Sequence, residues 1–174
     1  KDEILANLSD LAAALQHIVD YTLAELDKGT RKDLIFQNAK LPPELTGKHS
    51  LRETYVSVKD ISKMVLKQYT GWWDDIPSHW TPALFEEVSA AVVQLAGNIE
   101  ALDSFTRELM QNDLPLASHF ADFAFYANPN NALAQQLVID VYTARMLDER
   151  SNTQELLAYL DHLAAAKSYQ LKSQ

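Results

Sequence analysis

The stretch that decides the fold is ASHFADFAFYANPNNALAQQLVIDVY, residues 117–142. Small residues recur at Ala117, Ala121 and Ala124, on one side of a helix, and aromatic residues follow them. Asn128–Asn131, which reads Asn-Pro-Asn-Asn, interrupts that helix and supplies a cap for a new one at Ala132. Small side chains let helices approach closely, so the stretch predicts an antiparallel helical pair.

Apolar residues recur at helical spacing along most of the remaining chain. The predicted helices cover residues 2–28, 31–38, about 55–69, 81–97, 98–112, 114–127, 132–148 and about 151–171. Thr30 and the pair Thr81-Pro82 are predicted to start two of them. The chain has only four glycines, which argues against a turn-rich β fold.

These patterns predict an all-α fold, an antiparallel helical bundle of seven to eight helices. Residues 117–142 are similar to part of a tetratricopeptide repeat, so we expect a repeat-like helical hairpin there. About one repeat is visible, which excludes a long solenoid.

Four of the helices carry an apolar stripe that we expect to be buried. The stripe of the first helix is Ile4, Leu8, Leu11, Leu15, Ile18, Thr22 and Leu26. The helix that ends near residue 69 presents Val58, Ile61, Val65, Leu66 and Tyr69. The last two helices present Leu133, Leu137, Val141 and Ala144, and then Leu156, Leu160 and Leu163.

The composition excludes some partners and leaves the compartment open. With 174 residues and a formal charge of −9, the chain is long enough for a cored domain but disfavours nucleic acid and anionic membranes as partners. No apolar run approaches the ~20 residues of a membrane span, so none is predicted. The chain opens at Lys1 without methionine, and we expect a processed product or a piece of a longer protein. The compartment stays unknown from the sequence: the bacterial cytoplasm is expected, or the periplasm or medium if a signal precedes Lys1.

The sequence predicts no catalytic residue, no metal ligand and no cofactor within the chain. There is no cysteine, no histidine has a second one three or four residues away, and there is no phosphate-binding glycine loop or serine elbow. Three groupings of titratable residues are expected to be ordinary surface or turn features. They are His17 with Asp20, His119 with Asp122, and the adjacent acids Asp74-Asp75.

All three tryptophans of the chain fall within KQYTGWWDDIPSHWTP, residues 67–82. Tyr69, Trp72, Trp73 and Trp80 each combine a large apolar surface with a polar tip. Such a cluster either locks two helices together or anchors a partner. The residue pattern leaves both interpretations open.

The stretch LRETYVSVKDISKMVLKQYTGWWDDIP, residues 51–77, resembles the segment that joins the catalytic domain to the helical dimerisation domain in alkyl sulfatases of the metallo-β-lactamase superfamily. The positions that match the pattern, in order, are Arg52, Glu53, Tyr55, Val58, Tyr69, Gly71, Trp72, Trp73, Asp74 and Pro77. Upstream the matches are Asp20, Thr22, Asp27, Gly29, Leu41, Pro42 and Pro43. The resemblance covers roughly residues 5–147. The role of residues 148–174 is left open, because the sequence departs from the family pattern after Leu147.

The resemblance implies a parent hydrolase that acts on sulfuric ester bonds with two zinc ions, whose ligands precede Lys1. It divides the chain into residues 1–76, from the end of the catalytic domain, and residues 77–174, a dimerisation domain. The implied partners are a second copy and the catalytic domain of the same protein. The implied substrate-cleft residues are Tyr55, Asp60, Tyr69, Trp72 and Trp73. The implied dimer or partner residues are Trp80, Phe120, Phe123 and Tyr126. Asp60 replaces a histidine usual in the family, and a carboxylate there would repel a sulfate unless protonated or paired.

Two other functions stay open from the residues alone. A stand-alone, repeat-like adaptor would bind a peptide on a concave face lined by exposed Phe120, Phe123 and Tyr126. An apolar-ligand-binding bundle would instead hold a cavity near Trp72 and Trp73.

Overall fold

A computed structural model describes residues 2–148 and 150–172, with side chains described as far as Tyr169. Within this part the chain forms eight α-helices and no strand, so the predicted all-α fold is confirmed. The helices are α1 (Asp2–Asp27), α2 (Lys32–Asn38), α3 (Val58–Thr70), α4 (Phe85–Ala96), α5 (Ile99–Leu109), α6 (Leu114–Ala127), α7 (Ala132–Leu147) and α8 (Thr153–Lys172). Single 3₁₀ turns lie at His49–Leu51 and Pro77–His79.

The chain forms two compact units, Lys1–Pro82 and Ala83–Gln174, called unit 1 and unit 2 below. Unit 1 contains α1 to α3, and unit 2 contains α4 to α8. The division after residue 76 rests on resemblance and stays a prediction.

Side-chain caps fix where several helices begin. Asn98 accepts from the N–H of Ala101 at the start of α5, Asp113 caps α6, and Asn131 caps α7 as predicted. Two predicted starts were wrong. The Thr30 hydroxyl donates to Glu25 Oε2 at 2.8 Å and does not cap α2. The backbone is extended at Leu84, so α4 begins at Phe85 and not at Thr81-Pro82.

The core of unit 1 lies where α2 and α3 pack on the C-terminal half of α1. Ile18, Ile35, Val58 and Leu66 are buried there. The prediction that the whole α1 stripe is buried was wrong, because the large apolar side chains of its N-terminal half are exposed in this chain. The exposed fractions in that half are Ile4 64%, Leu5 55%, Leu8 57%, Leu11 44% and Leu15 41%.

Two buried hydroxyls join α1 to α3. Thr22 Oγ1 and Ser62 Oγ lie 2.8 Å apart, and neither residue is exposed. Each hydroxyl is the partner of the other in an apolar environment, so removing one leaves its mate unsatisfied.

Replacing Ser62 with alanine is expected to lower the free energy of unfolding of unit 1 by about 1–3 kcal/mol. The double substitution Thr22→Val with Ser62→Ala removes both polar groups and is expected to cost less than Ser62→Ala alone. Urea denaturation followed by tryptophan fluorescence measures this, since every tryptophan lies in unit 1. The exposed Ser50→Ala serves as the control. Simple addition of the two single effects would contradict the pairing.

The core of unit 2 is built around the close contact of α6 with α7. The small residues Ala117, Ala121 and Ala124 are fully buried, and Leu137 and Val141 of α7 are buried with them. Three burial predictions need correction in this unit: Leu133, Ala144 and Leu156 are only partly buried. In unit 1 the same holds for Leu26, Ile61 and Val65. In α8, Leu163 is buried as predicted, together with Ala166, whereas Leu160 is 48% exposed, so its predicted burial was wrong.

Candidate functional site

The three tryptophans form one cluster on the surface of unit 1, called the tryptophan cluster below. The ring centroids of Trp72 and Trp80 lie 5.2 Å apart, those of Trp73 and Trp80 5.0 Å, and those of Trp72 and Trp73 6.0 Å. Trp72 is 66% exposed and Trp80 63% exposed. The structure therefore joins two cleft candidates and one partner candidate in a single patch of aromatic surface.

A buried lysine holds the tryptophan cluster to α2. Lys32 is only 7% exposed, and its Nζ donates to the carbonyl oxygen of Trp73. The same Nζ lies 3.3 Å from Asp75 Oδ1. The sequence analysis missed Lys32, because its partners follow it by some forty residues and only folding brings them together.

The adjacent acids Asp74 and Asp75 fix the turn that carries the cluster. Asp74 Oδ1 accepts from the N–H of Ile76 at 3.1 Å, and Asp74 Oδ2 lies 2.6 Å from Nδ1 of His79. The hydrogen bond with His79, and then that from Ile76, lower the pKa of the Asp74 carboxyl. Asp75 adopts a positive φ of 72°. The predicted turn role is therefore confirmed.

The remaining cleft candidates lie along α3 and are not brought together. Tyr55 precedes the helix and is 66% exposed, which corrects its predicted place as the first helical residue. Tyr69 is 62% exposed near the other end, so its predicted burial was wrong. At 1.5 Å per residue, Asp60 and Tyr69 stand about 13 Å apart along the axis. A common cleft formed by all five candidates stays a prediction.

Asp60 has a structural function at the start of α3. Its carboxylate accepts from the N–H of Ser57 at 3.0 Å and from the Ser57 hydroxyl at 2.7 Å, while that hydroxyl accepts from the N–H of Asp60. This is a complete capping box. Partial burial works to raise the pKa of Asp60, but the bonds from Ser57 and Lys63 outweigh it, so the pKa lies below its ordinary value.

Replacing Asp60 with alanine is expected to cost about 1 kcal/mol of unfolding free energy at neutral pH, the usual effect of a lost cap. Because the folded-state pKa is lowered, the stabilisation is present above the unfolded pKa and is lost as the pH falls through the folded one. Urea denaturation at pH 7 and near pH 3 measures the change, with the exposed Glu44→Ala as control. An equal loss at both pH values would contradict the capping account.

Unit 2 exposes a row of aromatic rings that crosses three helices, called the aromatic row below. Its members, in order of contact, are Phe105 of α5, Phe120 and Phe123 of α6, Phe85 of α4 and Tyr126 of α6. The structure thus brings together three of the four predicted partner residues. The sequence analysis missed Phe85 and Phe105, because they lie on other helices and join the row only through packing.

A polar contact joins α7 to α6 beside His162 of α8. The Tyr142 hydroxyl donates to both carboxylate oxygens of Asp122 at 2.8 and 2.9 Å, and His162 Nε2 lies 3.2 Å from Asp122 Oδ1, outside hydrogen-bond geometry. Burial, followed by the charge of Asp122, raises the pKa of Tyr142. Asp122 therefore serves these two residues, and the predicted pairing with His119 is not found.

The predicted pair His17 and Asp20 is also not found. His17 Nε2 lies 3.2 Å from the carbonyl oxygen of Lys40, and Asp20 accepts from Gln16 at 2.8 Å. Among the described residues, no three histidine, aspartate or glutamate side chains converge as a metal site would require. None of the helices in that part of the chain combines the length and apolarity needed to cross a bilayer.

Comparison with known proteins identifies the family. The sequence model of the family described as alkyl sulfatase dimerisation matches residues 31–167, most of the chain. The chain belongs to the alkyl sulfatase dimerisation family. The match starts later than the resemblance found in the sequence and continues into α8, so the expectation that the pattern ends at Leu147 was wrong.

The relatives of this family member are alkyl sulfatases. A linear primary-alkylsulfatase from Pseudomonas sp. (strain ATCC 19151) is 26% identical over 138 residues, which cover 78% of this chain and 26% of that protein. A double mutant of the sec-alkyl sulfatase PisA1 has a TM-score of 0.83 at 22% identity, covering 97% of this chain and 26% of its own. The stereoselective inverting sec-alkylsulfatase Pisa1 from Pseudomonas sp. gives 0.81 at 24% identity, covering 93% and 25%. The chain thus spans about a quarter of the length of these relatives, and the two solved structures show that the fold is shared.

Proposed function

We propose that this chain is the homodimerisation and substrate-cleft-shaping portion of an alkyl-sulfatase-like zinc hydrolase, and that it is not catalytic by itself. The observation that carries the proposal is the match of the dimerisation family to residues 31–167. The parent would hydrolyse a sulfate or a related ester. The two zinc ions would be bound by the catalytic domain, as the resemblance implies.

The N-terminal half of α1 supports attachment to that domain. Ile4, Leu8, Leu11 and Leu15 repeat at steps of four and three and are all exposed, which is the pattern of a helix face that packs on another body. This face precedes residue 31, where the match to the dimerisation family begins. The match to one solved sulfatase covers 97% of this chain but only 26% of that protein, so most of that sulfatase lies outside the matched part. The occupant of the α1 face would therefore be the remainder of the hydrolase.

The tryptophan cluster supports a role at the substrate entrance. Two of its rings expose more than half of their surface, and the turn that carries them is held by Lys32 and by the bond between Asp74 and His79. An exposed apolar patch suits contact with an alkyl chain. A patch that is held in a fixed position suits such contact better than the same rings on a mobile loop would. Ser57 and Lys63 donate to the carboxylate oxygens of Asp60. This carboxylate is therefore paired, and a paired carboxylate does not repel a sulfate as a lone one would.

The oligomeric mass and the activity of the purified chain test the proposal together. We expect sedimentation equilibrium to give twice the chain mass of 19.6 kDa at micromolar concentration. Incubation with primary and secondary alkyl sulfates and zinc is expected to release no sulfate. Zinc-dependent turnover by this chain would refute the non-catalytic claim, and a monomer throughout that range would refute dimerisation.

The peptide-binding adaptor is less well supported by the structure. It requires exposed Phe120, Phe123 and Tyr126; Tyr126 is exposed, whereas Phe120 and Phe123 are only partly exposed. The ligand-binding bundle requires a cavity at the tryptophans. The cavity of about 300 Å³ that the structure describes in unit 2 is lined by alanine, valine and isoleucine residues with Asn128 and Asn131, and no tryptophan is among its lining residues.

A further inference from the structure

We infer that the aromatic row is the self-association surface of unit 2, and that its occupant is the aromatic row of a second copy of this chain. The inference rests on the proposed homodimerisation and adds the location and chemistry of the contact. Every member of the row lies within residues 31–167, the part that matches the dimerisation family.

Exposure of the rings supports an unfilled interface. Phe105 is 46% exposed, Phe85 45% and Tyr126 37%, although each already contacts another ring of the row. Single exposed apolar side chains are normal on a protein surface, but here the rings are contiguous across α5, α6 and α4, which is the pattern of an interaction site. Contiguous aromatic residues are the usual centre of protein interfaces.

The apolar surface continues along α4 beyond the rings. Leu84 is 66% exposed and Val88 39% exposed beside Phe85, and Leu95 at the far end of the helix is 89% exposed. Neither α4 nor α6 contains lysine or arginine. Large apolar side chains at the centre are typical of a subunit contact.

The charge of the chain favours an apolar contact over one built on ion pairs. The exposed Glu86 and Glu87 lie beside Phe85, and the whole chain carries −9. In a two-fold dimer the same patch meets itself, so like charges must stay at the rim while apolar groups meet at the centre. Edge-to-face and stacked ring pairs both occur within the row, so it presents ring faces and ring edges to an identical partner.

Charge substitution in the row tests the inference in the full 174-residue chain. Phe85→Glu and Phe105→Glu are expected to raise the dimer dissociation constant at least about thirtyfold each, the effect of a hot-spot residue. Leu160→Glu, at 48% exposure on α8, is the matched control and is expected to leave the constant within about threefold. Circular dichroism of each variant establishes that the fold is kept.

Spin labels provide a second measurement that does not alter the row, because the chain contains no cysteine. Glu86→Cys places a label beside Phe85, and Thr143→Cys places one on α7, which packs on α6 and does not touch α4. The distance between the two labels of a dimer is expected to be shorter for Glu86→Cys.

Each outcome separates this inference from the proposed function. If the unsubstituted chain is a monomer, both this inference and the proposed homodimerisation are overturned. A dimer that survives Phe85→Glu and Phe105→Glu, or one with the shorter label distance at Thr143→Cys, overturns the aromatic row as the contact and leaves dimerisation standing. Loss of the dimer in both row variants with retention in Leu160→Glu supports it.

Discussion

The substitution Leu137→Ala is expected to lower the free energy of unfolding of unit 2 by about 2–5 kcal/mol. Leu137 is fully buried in α7, among the alanines of α6 and next to Val138 and Val141. Removing its branched end leaves a cavity that these small neighbours cannot fill, since the single methyl groups of Ala117 and Ala121 cannot rotate into it. The loss is a large fraction of the stability of a typical domain.

The same helix offers the control for Leu137→Ala. Leu147 ends α7 and is 79% exposed, so Leu147→Ala changes the same side chain without opening a cavity and is expected to cost no more than about 0.5 kcal/mol. Hydrogen exchange of the α6 and α7 amides measures both variants within unit 2, which contains no tryptophan. Equal losses at the two leucines would refute the core described for this unit.

The substitution Lys32→Met is expected to cost about 3 kcal/mol in unit 1 and to release the tryptophan cluster from α2. It removes the hydrogen bond from Nζ to the carbonyl oxygen of Trp73 and the ion pair with Asp75. Truncating one partner of a buried charged pair typically costs about 3–5 kcal/mol, and the lower figure applies because Asp75 is 40% exposed. Methionine keeps most of the apolar stem, so the loss reports on the charge and its hydrogen bond.

Tryptophan fluorescence reads this variant directly, because all three tryptophans belong to the cluster. We expect a shift of the emission maximum in the native state and a lower urea midpoint. Lys67→Met, on an exposed position of α3, is the matched control and is expected to change neither. Unchanged emission and stability in Lys32→Met would show that the lysine does not hold the cluster.

The bounds of the helices were largely predictable, since they depend on local signals. Asn131 caps α7 where the sequence placed the cap, and α6 runs from Leu114 to Ala127 as expected. A predicted helix start failed where the capping side chain made another contact. The hydroxyl of Thr30 donates to Glu25 and therefore does not cap α2. The candidate site was predictable only in part, because Lys32, Phe85 and Phe105 lie far in sequence from the residues that they contact.

By itself, the sequence determined that the chain is all-α and that it resembles an alkyl sulfatase dimerisation domain, because helical periodicity, caps and short motifs are written in neighbouring residues. Tertiary structure alone decided which apolar residues are covered. Ile4 and Ile18 belong to one stripe of α1, yet Ile18 is buried and Ile4 is 64% exposed. Burial depends on what packs against a face, and residues distant along the chain supply that packing.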